Sequence, residues 1–142
     1  DNVSYINDSK GTNIGATLAA IEGFGSDSYK NLLLIAGGQG KGQDFDGLKE
    51  AADSFVKCGF LYGEDAQQLE DALHSVTKVY RADSLVEAVA VAKSAARPGD
   101  IVLLSPACAS FDSFTGFEER GHCFSQAVLS PVKTGSREGM TS

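Results

Sequence analysis

Asp8, Ser9, Lys10 and Thr12 stand together in the run Asn7-Asp8-Ser9-Lys10-Gly11-Thr12-Asn13: an acid, a base and two hydroxyls in one short stretch. An apolar run (Val3, Tyr5, Ile6) precedes it and a helix-spaced pattern (Ile14, Leu18, Ile21) follows, so the stretch reads as a strand-to-helix loop. Backbone N–H groups and the positive end of the helix dipole face such a loop, which favours anions. Asp8 cannot serve an anion, but it can accept from ligand hydroxyls. The combination points to a phosphorylated sugar or a carboxylate, with Asp8 on the hydroxyls and Lys10 supplying charge. The same residues suit a plainer role, in which Asp8 or Thr12 caps the helix.

Two more loops carry chemistry. Gly37-Gly38-Gln39-Gly40-Lys41-Gly42 follows an apolar run. Its glycines let backbone approach a ligand, and Lys41 adds a point charge. It is not the GxxxxGK[ST] phosphate loop, because Gly42 stands where the hydroxyl belongs, and it is not GxGxxG. Taken as a motif on its own, it reads more readily as a flexible turn with a solvated lysine. The third loop, from Ser105 to Phe114, is rich in small residues and hydroxyls, including Ser110. Neither serine has the flanking glycines of a nucleophile elbow. Cys108 reads as an enclosed structural thiol, since neither His74 nor His122 is placed by sequence to activate it. Glu118, Glu119 and Arg120 read as dressing of a helix start.

The elements that must position these loops follow from periodicity. Short apolar runs alternate with helical patterns, the signature of βα units around a mostly parallel sheet, so the fold class is α/β. Strands are predicted at 3–7, 32–36, 59–62, 78–81 and 101–104. The near-continuous apolarity of residues 32–35 and 101–104 marks strands buried on both faces. The first helix is predicted over 13–22, with Gly23 just beyond its end. The second has Asp44 as cap and Phe45, Leu48, Ala52 and Phe55 inward. The third starts near Glu64 and buries Leu69 and Leu73. The fourth is capped by Asp83 or Ser84, with Leu85, Val86, Val89 and Ala90 inward. The fifth has a capping box, Thr115 to Glu118, before Phe117, Phe124 and Val128. One domain is expected over 1–130, followed by a polar, frayed tail over 131–142. In open α/β sheets ligands bind beyond the carboxyl ends of the strands. All three loops leave that edge, so Asp8, Lys10, Thr12, Lys41, Ser105 and Ser110 are expected to share one surface.

Composition narrows the function classes. The 142 residues carry a net charge of -7, which argues against broad binding to nucleic acid or to an anionic membrane. One local anionic-ligand site remains compatible with that charge. Three cysteines without CxxC spacing fit reduced thiols, and two histidines form no zinc set with them. No run approaches the ~20 apolar residues of a membrane span, so a cytoplasmic protein is expected. A strand begins within a few residues of Asp1, as though the chain were part of something longer.

Three blocks together carry a resemblance. They are the run from Asn7 to Asn13 followed by Gly15 and an Ala-rich helix, residues 33–45 with Gly-Gly-x-x-Lys, and residues 103–121, LLSPACASFDSFTGFEERG. In order and spacing these resemble the C-terminal domain of the Mur ligases, in the branch that adds D-glutamate during peptidoglycan synthesis. The match covers residues 3–128, and the last block is the most specific. The other branches usually carry an Asp-x-x-His-Asn-like element in the first loop, which is lacking here. The resemblance implies a Rossmann-like three-layer domain of an ATP-dependent amide ligase, working with magnesium held mainly by other domains. It implies D-glutamate and UDP-N-acetylmuramoyl-L-alanine as substrates, and a central ATP-binding domain of the same parent chain as partner. By position, Asp8 would bind the ATP ribose hydroxyls, and Lys10 would serve the phosphate and acyl-phosphate charge as the catalytic lysine. Thr12 and Lys41 would hold one D-glutamate carboxylate. Ser110 and the Phe117 backbone N–H would hold the other, with Phe111 lining the site. Gly11 and Gln39 depart from residues common in the family without removing an assigned role. The isolated chain is expected to be inactive. The alternative is a free-standing Rossmann-like module that binds a nucleotide or a dicarboxylate without catalysis.

Overall fold

The computed structural model describes residues 2–8, 13–26, 29–38, 44–108 and 117–129, with the side chain of Phe117 left out. Five strands, β1 (Ser4–Asn7), β2 (Leu32–Gly37), β3 (Val56–Tyr62), β4 (Lys78–Arg81) and β5 (Ile101–Leu104), form one sheet in the order β1-β5-β2-β3-β4. Every described pairing is parallel. Five helices connect or follow them: α1 (Ile14–Phe24), α2 (Lys49–Phe55), α3 (Ala66–Leu73), α4 (Leu85–Ala95) and α5 (Phe117–Leu129). The expected α/β class with a parallel sheet is what the structure shows.

Alternation along β2 divides the core. Leu32, Leu34 and Ala36 join α1, α2 and α3 on one face, whereas Leu33 and Ile35 join α4 and α5 on the other. This three-layer build explains why β2 is apolar at every position: both of its faces are covered. The edge strands β1 and β4 are correspondingly part-exposed.

Helix boundaries depend on local capping. Asn13 caps α1, its Oδ1 accepting from Ala16 N at 2.9 Å, so neither Asp8 nor Thr12 is needed as the cap. The expected stop at Gly23 is corrected: α1 runs through it to Phe24, and Gly25 follows with its N–H on Ile21 O. A Cβ on Gly25 would lie 2.4 Å from the Phe55 ring, so the glycine there serves the close approach of α2. Asp44 caps a 3₁₀ turn over Phe45–Leu48, which runs straight into α2. Helix α3 begins at Ala66 rather than near Glu64. Ser84 caps α4, with Oγ accepting from Glu87 N. The inward stripe of α4 is Leu85, Ala88, Val89 and Ala92, while Val86 and Ala90 are exposed, which corrects the expectation for that pair. The capping box at Thr115 lies outside the described residues.

Strand β3 starts three residues earlier than its apolar run suggests. Lys57 interrupts the pattern, but its ammonium reaches Asp100 Oδ2 at 2.7 Å, so the charge is accommodated at the sheet's end. Helix α2 ends at Phe55 and β3 begins at Val56, leaving no turn residues to mark the boundary.

Candidate functional site at the C-terminal edge of the sheet

With all strands parallel, their carboxyl ends lie along one edge, and β1, β5 and β2 are neighbours there. The three chemistry-bearing loops therefore depart from adjacent strands. Crossovers run one way from β2 to β4 and then return to insert β5 beside β1, the arrangement that opens a crevice for ligands.

Asp8 follows β1 directly. Its N–H donates to Leu104 O at 2.8 Å, which carries the ladder one residue past the strand and fixes the backbone. Asn7 turns its amide to α5, donating to Gly121 O at 3.0 Å, while the half-buried Asp8 side chain turns toward β5 and α1. Ser105 follows β5 and donates Oγ–H to Asp8 Oδ2 at 2.8 Å. Thr17, on α1, places Oγ1 at 3.0 Å from Ser105 Oγ and 3.1 Å from Ser105 O. Both hydroxyl residues are fully enclosed, at 0% exposure. A hydroxyl has one proton and a carboxylate can only accept, so with the Ser105 proton on Asp8 the single Thr17 proton goes to Ser105, where the backbone O and the Oγ both lie within reach. The result is a line of hydroxyls running from the first turn of α1 to a carboxylate at the sheet edge.

The roots of the other two loops are tied to each other. Gly37 N donates to Pro106 O at 3.1 Å, and Gly38 N to Tyr62 O at 3.3 Å. A Cβ on Gly37 would lie 2.0 Å from Tyr62 O, so only glycine fits where β2 ends. Ala107 takes a left-handed backbone conformation (φ 64°), which costs an alanine about 1–2 kcal/mol. Beside it lies Arg120, which is fully buried: Nη1 donates to Cys108 O at 2.9 Å and, over a longer 3.5 Å, to Gly37 O. This corrects the reading of Arg120 as surface dressing of a helix start. Glu118 and Glu119 are exposed, as expected of such residues. Cys108 is fully buried, in line with a structural thiol, and His74 and His122 are exposed.

Of the site residues named from sequence, Asp8 is described in full and meets Ser105. Lys10, Thr12, Lys41, Ser110 and Phe111 lie outside the described residues, and Phe117 is described only as the first backbone position of α5. Sequence reading passed over Thr17 and Arg120. The available signal was periodicity: each occupies a position on an apolar stripe, Thr17 between Ile14 and Ile21, Arg120 between Phe117 and Phe124. A polar residue on a buried stripe must find a partner inside.

A recess of about 370 Å³ adjoins Asp8, walled by Ile6, Ala16, Ala20 and Phe24. A larger recess, about 530 Å³, lies elsewhere, between β3, β4 and α4 and beside Lys57 and Lys78. None of the chemistry-bearing loops lines it. Among the described residues no three His, Cys, Asp or Glu side chains converge on a metal position. No described helix is long and apolar enough to cross a membrane.

Comparison with known proteins gives this edge its context. Residues 1–108 match the model of the family described as Mur ligase, glutamate ligase domain. The chain belongs to the Mur ligase family. It is 55% identical over 128 residues to UDP-N-acetylmuramoylalanine--D-glutamate ligase of Legionella pneumophila, covering 90% of this chain and 29% of that protein. The ligase of the same name from Coxiella burnetii is 56% identical over 126 residues, covering 89% and 28%. That of Acinetobacter baylyi is 52% identical over 131 residues, covering 90% and 29%. The chain thus spans under a third of the length of these Mur ligase relatives.

Proposed function

We propose that this chain acts as the C-terminal domain of an ATP-dependent ligase that joins D-glutamate to UDP-N-acetylmuramoyl-L-alanine. The reading rests on one observation above others: relatives at 52–56% identity, matched over about nine-tenths of this chain, carry that name. In this reading the γ-phosphoryl group of ATP passes to the substrate carboxylate. The D-glutamate amine then attacks the acyl phosphate, the amide forms, and phosphate leaves with ADP already released from the transfer. Asp8 accepts from the ribose hydroxyls of ATP. Lys10 offsets phosphate charge as it moves to the acyl group. Thr12 and Lys41 hold one carboxylate of D-glutamate. Ser110 and the Phe117 N–H hold the other, and Phe111 lines the site. ATP, magnesium and the muramoyl substrate are met mainly by the central domain of the full enzyme, in the cytoplasm, so this chain alone does not turn over.

Two measurements test this. The isolated chain should unfold cooperatively and release no ADP in response to D-glutamate; turnover by it alone contradicts the assignment. In the full-length ligase carrying this domain, Lys41→Ala and Ser110→Ala should weaken D-glutamate far more than ATP. Loss of a charge-assisted contact of roughly 1.5–3 kcal/mol corresponds to about 10- to 150-fold in KM. An unchanged D-glutamate dependence in Ser110→Ala removes that residue from the site.

A further inference from the structure

We infer that Ser105 and Thr17 are positioning residues for nucleotide binding: they hold the Asp8 carboxylate in the orientation that receives the ribose hydroxyls. The inference rests on the proposed role of Asp8 and goes beyond it, because neither hydroxyl reaches a ligand. Two fully buried hydroxyls occupy the junction of β1, β5 and α1, a place where apolar side chains would pack more cheaply. Their distances form one line: Thr17 Oγ1 to Ser105 Oγ at 3.0 Å, and Ser105 Oγ to Asp8 Oδ2 at 2.8 Å.

The line has a direction. Thr17 closes the first turn of α1, where its hydroxyl would ordinarily bond back to a carbonyl at the helix start. Instead it reaches across to Ser105, with Ser105 O at 3.1 Å. Its backbone N–H meanwhile keeps the ordinary helical bond to Asn13 O. Helix α1 is itself fixed at its start by the Asn13 cap, so Thr17 is a rigid anchor. Ser105 is equally fixed, with its N–H on Ile35 O at 3.2 Å. With its proton committed to Oδ2, Ser105 sets the plane of the carboxylate, and among the described residues no other side chain donates to Asp8. A carboxylate free to rotate would have to be ordered on each binding event, and that cost would appear in nucleotide affinity.

The test uses the full-length ligase and compares kcat/KM for ATP with that for 2′,3′-dideoxy-ATP, which lacks both hydroxyls. The wild-type enzyme should prefer ATP, and Asp8→Ala should bring the ratio close to one. Ser105→Ala and Thr17→Val should reduce the ratio by about three- to tenfold, acting through KM for ATP, as expected from loosening one charge-assisted bond. Thr17→Ser, which restores the hydroxyl, should recover the wild-type ratio; Thr17→Val keeps the side-chain shape and separates packing from hydrogen bonding if Ser105→Ala fails to fold. A wild-type ratio in Ser105→Ala or Thr17→Val, alongside a collapsed ratio in Asp8→Ala, overturns the positioning role and leaves the reading of Asp8 standing. An unchanged ratio in Asp8→Ala overturns both.

Discussion

Asp100 and Asp8 sit at opposite ends of the parallel sheet, one just before β5 and the other just after β1. Asp100 is almost fully buried, and one of its oxygens accepts from Lys57 Nζ at 2.7 Å and from Arg97 N at 2.8 Å. Its backbone is engaged as well, N–H to Arg97 O and C=O to Ser4 N. These bonds close the turn into β5 and join it to β3. Asp8 is half-buried, and among the described residues its side chain receives one donor, the Ser105 hydroxyl. The same residue type thus takes two protein donors on one oxygen at the amino edge and, among the described residues, a single side-chain donor at the carboxyl edge. The more heavily bonded, more deeply buried carboxylate is expected to report on stability, and the half-buried one, in the proposed role, on binding.

The largest effect should come from the amino edge. Asp100→Ala strips the Arg97 N–H and the Lys57 ammonium of a shared acceptor. Loss of such charge-assisted bonds in a buried position costs about 2–3 kcal/mol, measurable by urea unfolding. A loss below about 0.5 kcal/mol, the range of ordinary surface changes, would mean that Asp100 is not structural and would blur the contrast.

Arg120 tests the carboxyl edge from the other side. It is as buried as Asp100, yet it holds the roots of two loops rather than a turn. Arg120→Met should cost about 1–3 kcal/mol, because the Cys108 carbonyl loses a buried charged donor. In the full-length ligase it should also raise KM for D-glutamate, since the loops carrying Lys41 and Ser110 start at Gly37 and Cys108. Stability loss with unchanged KM would place Arg120 with Asp100, as scaffold only.

The smallest effect concerns the thiols. Burial pushes Cys58 up from the ordinary value of 9.0, against a weaker opposing influence of Lys78, and pushes Cys123 up with help from Glu119. Both are therefore less ionised near neutral pH than a free thiol. Alkylation of the folded chain should be slower than that of free cysteine and should rise with pH above 9.0. A raised folded-state value also means that this contribution to stability is complete below the unfolded value and fades as pH climbs through the folded one. Fast alkylation at neutral pH would mean that these faces open more readily than the packing of β3 and α5 implies.

The parts of the fold legible in sequence were those governed by one local rule. Strands β4 and β5 read correctly to the residue, since turn signals bracket each apolar run. The start of β3 was hidden because a helix passes into a strand without a turn, and because Lys57 breaks the apolar run for the sake of a partner 43 residues away. Asp8 stood out in its loop, but the side chains that contact it there did not announce that contact. Ser105 comes 97 residues later in the chain, and the Thr17 hydroxyl gains meaning only once β5 inserts beside β1. Arg120 was misread for the same reason: its partners, Cys108 O and Gly37 O, are backbone atoms that no side-chain motif announces.

One paired measurement addresses directly whether the two ends of the sheet divide scaffold from ligand binding. KM for ATP and the urea midpoint are measured for Asp8→Ala and Asp100→Ala in the full-length ligase. The expected result is a crossover: Asp8→Ala raises KM for ATP about tenfold or more, as for a lost charge-assisted contact, with the midpoint of this domain nearly unchanged, while Asp100→Ala lowers the midpoint and leaves KM for ATP in place. An Asp8→Ala enzyme that melts early and still binds ATP normally would contradict it.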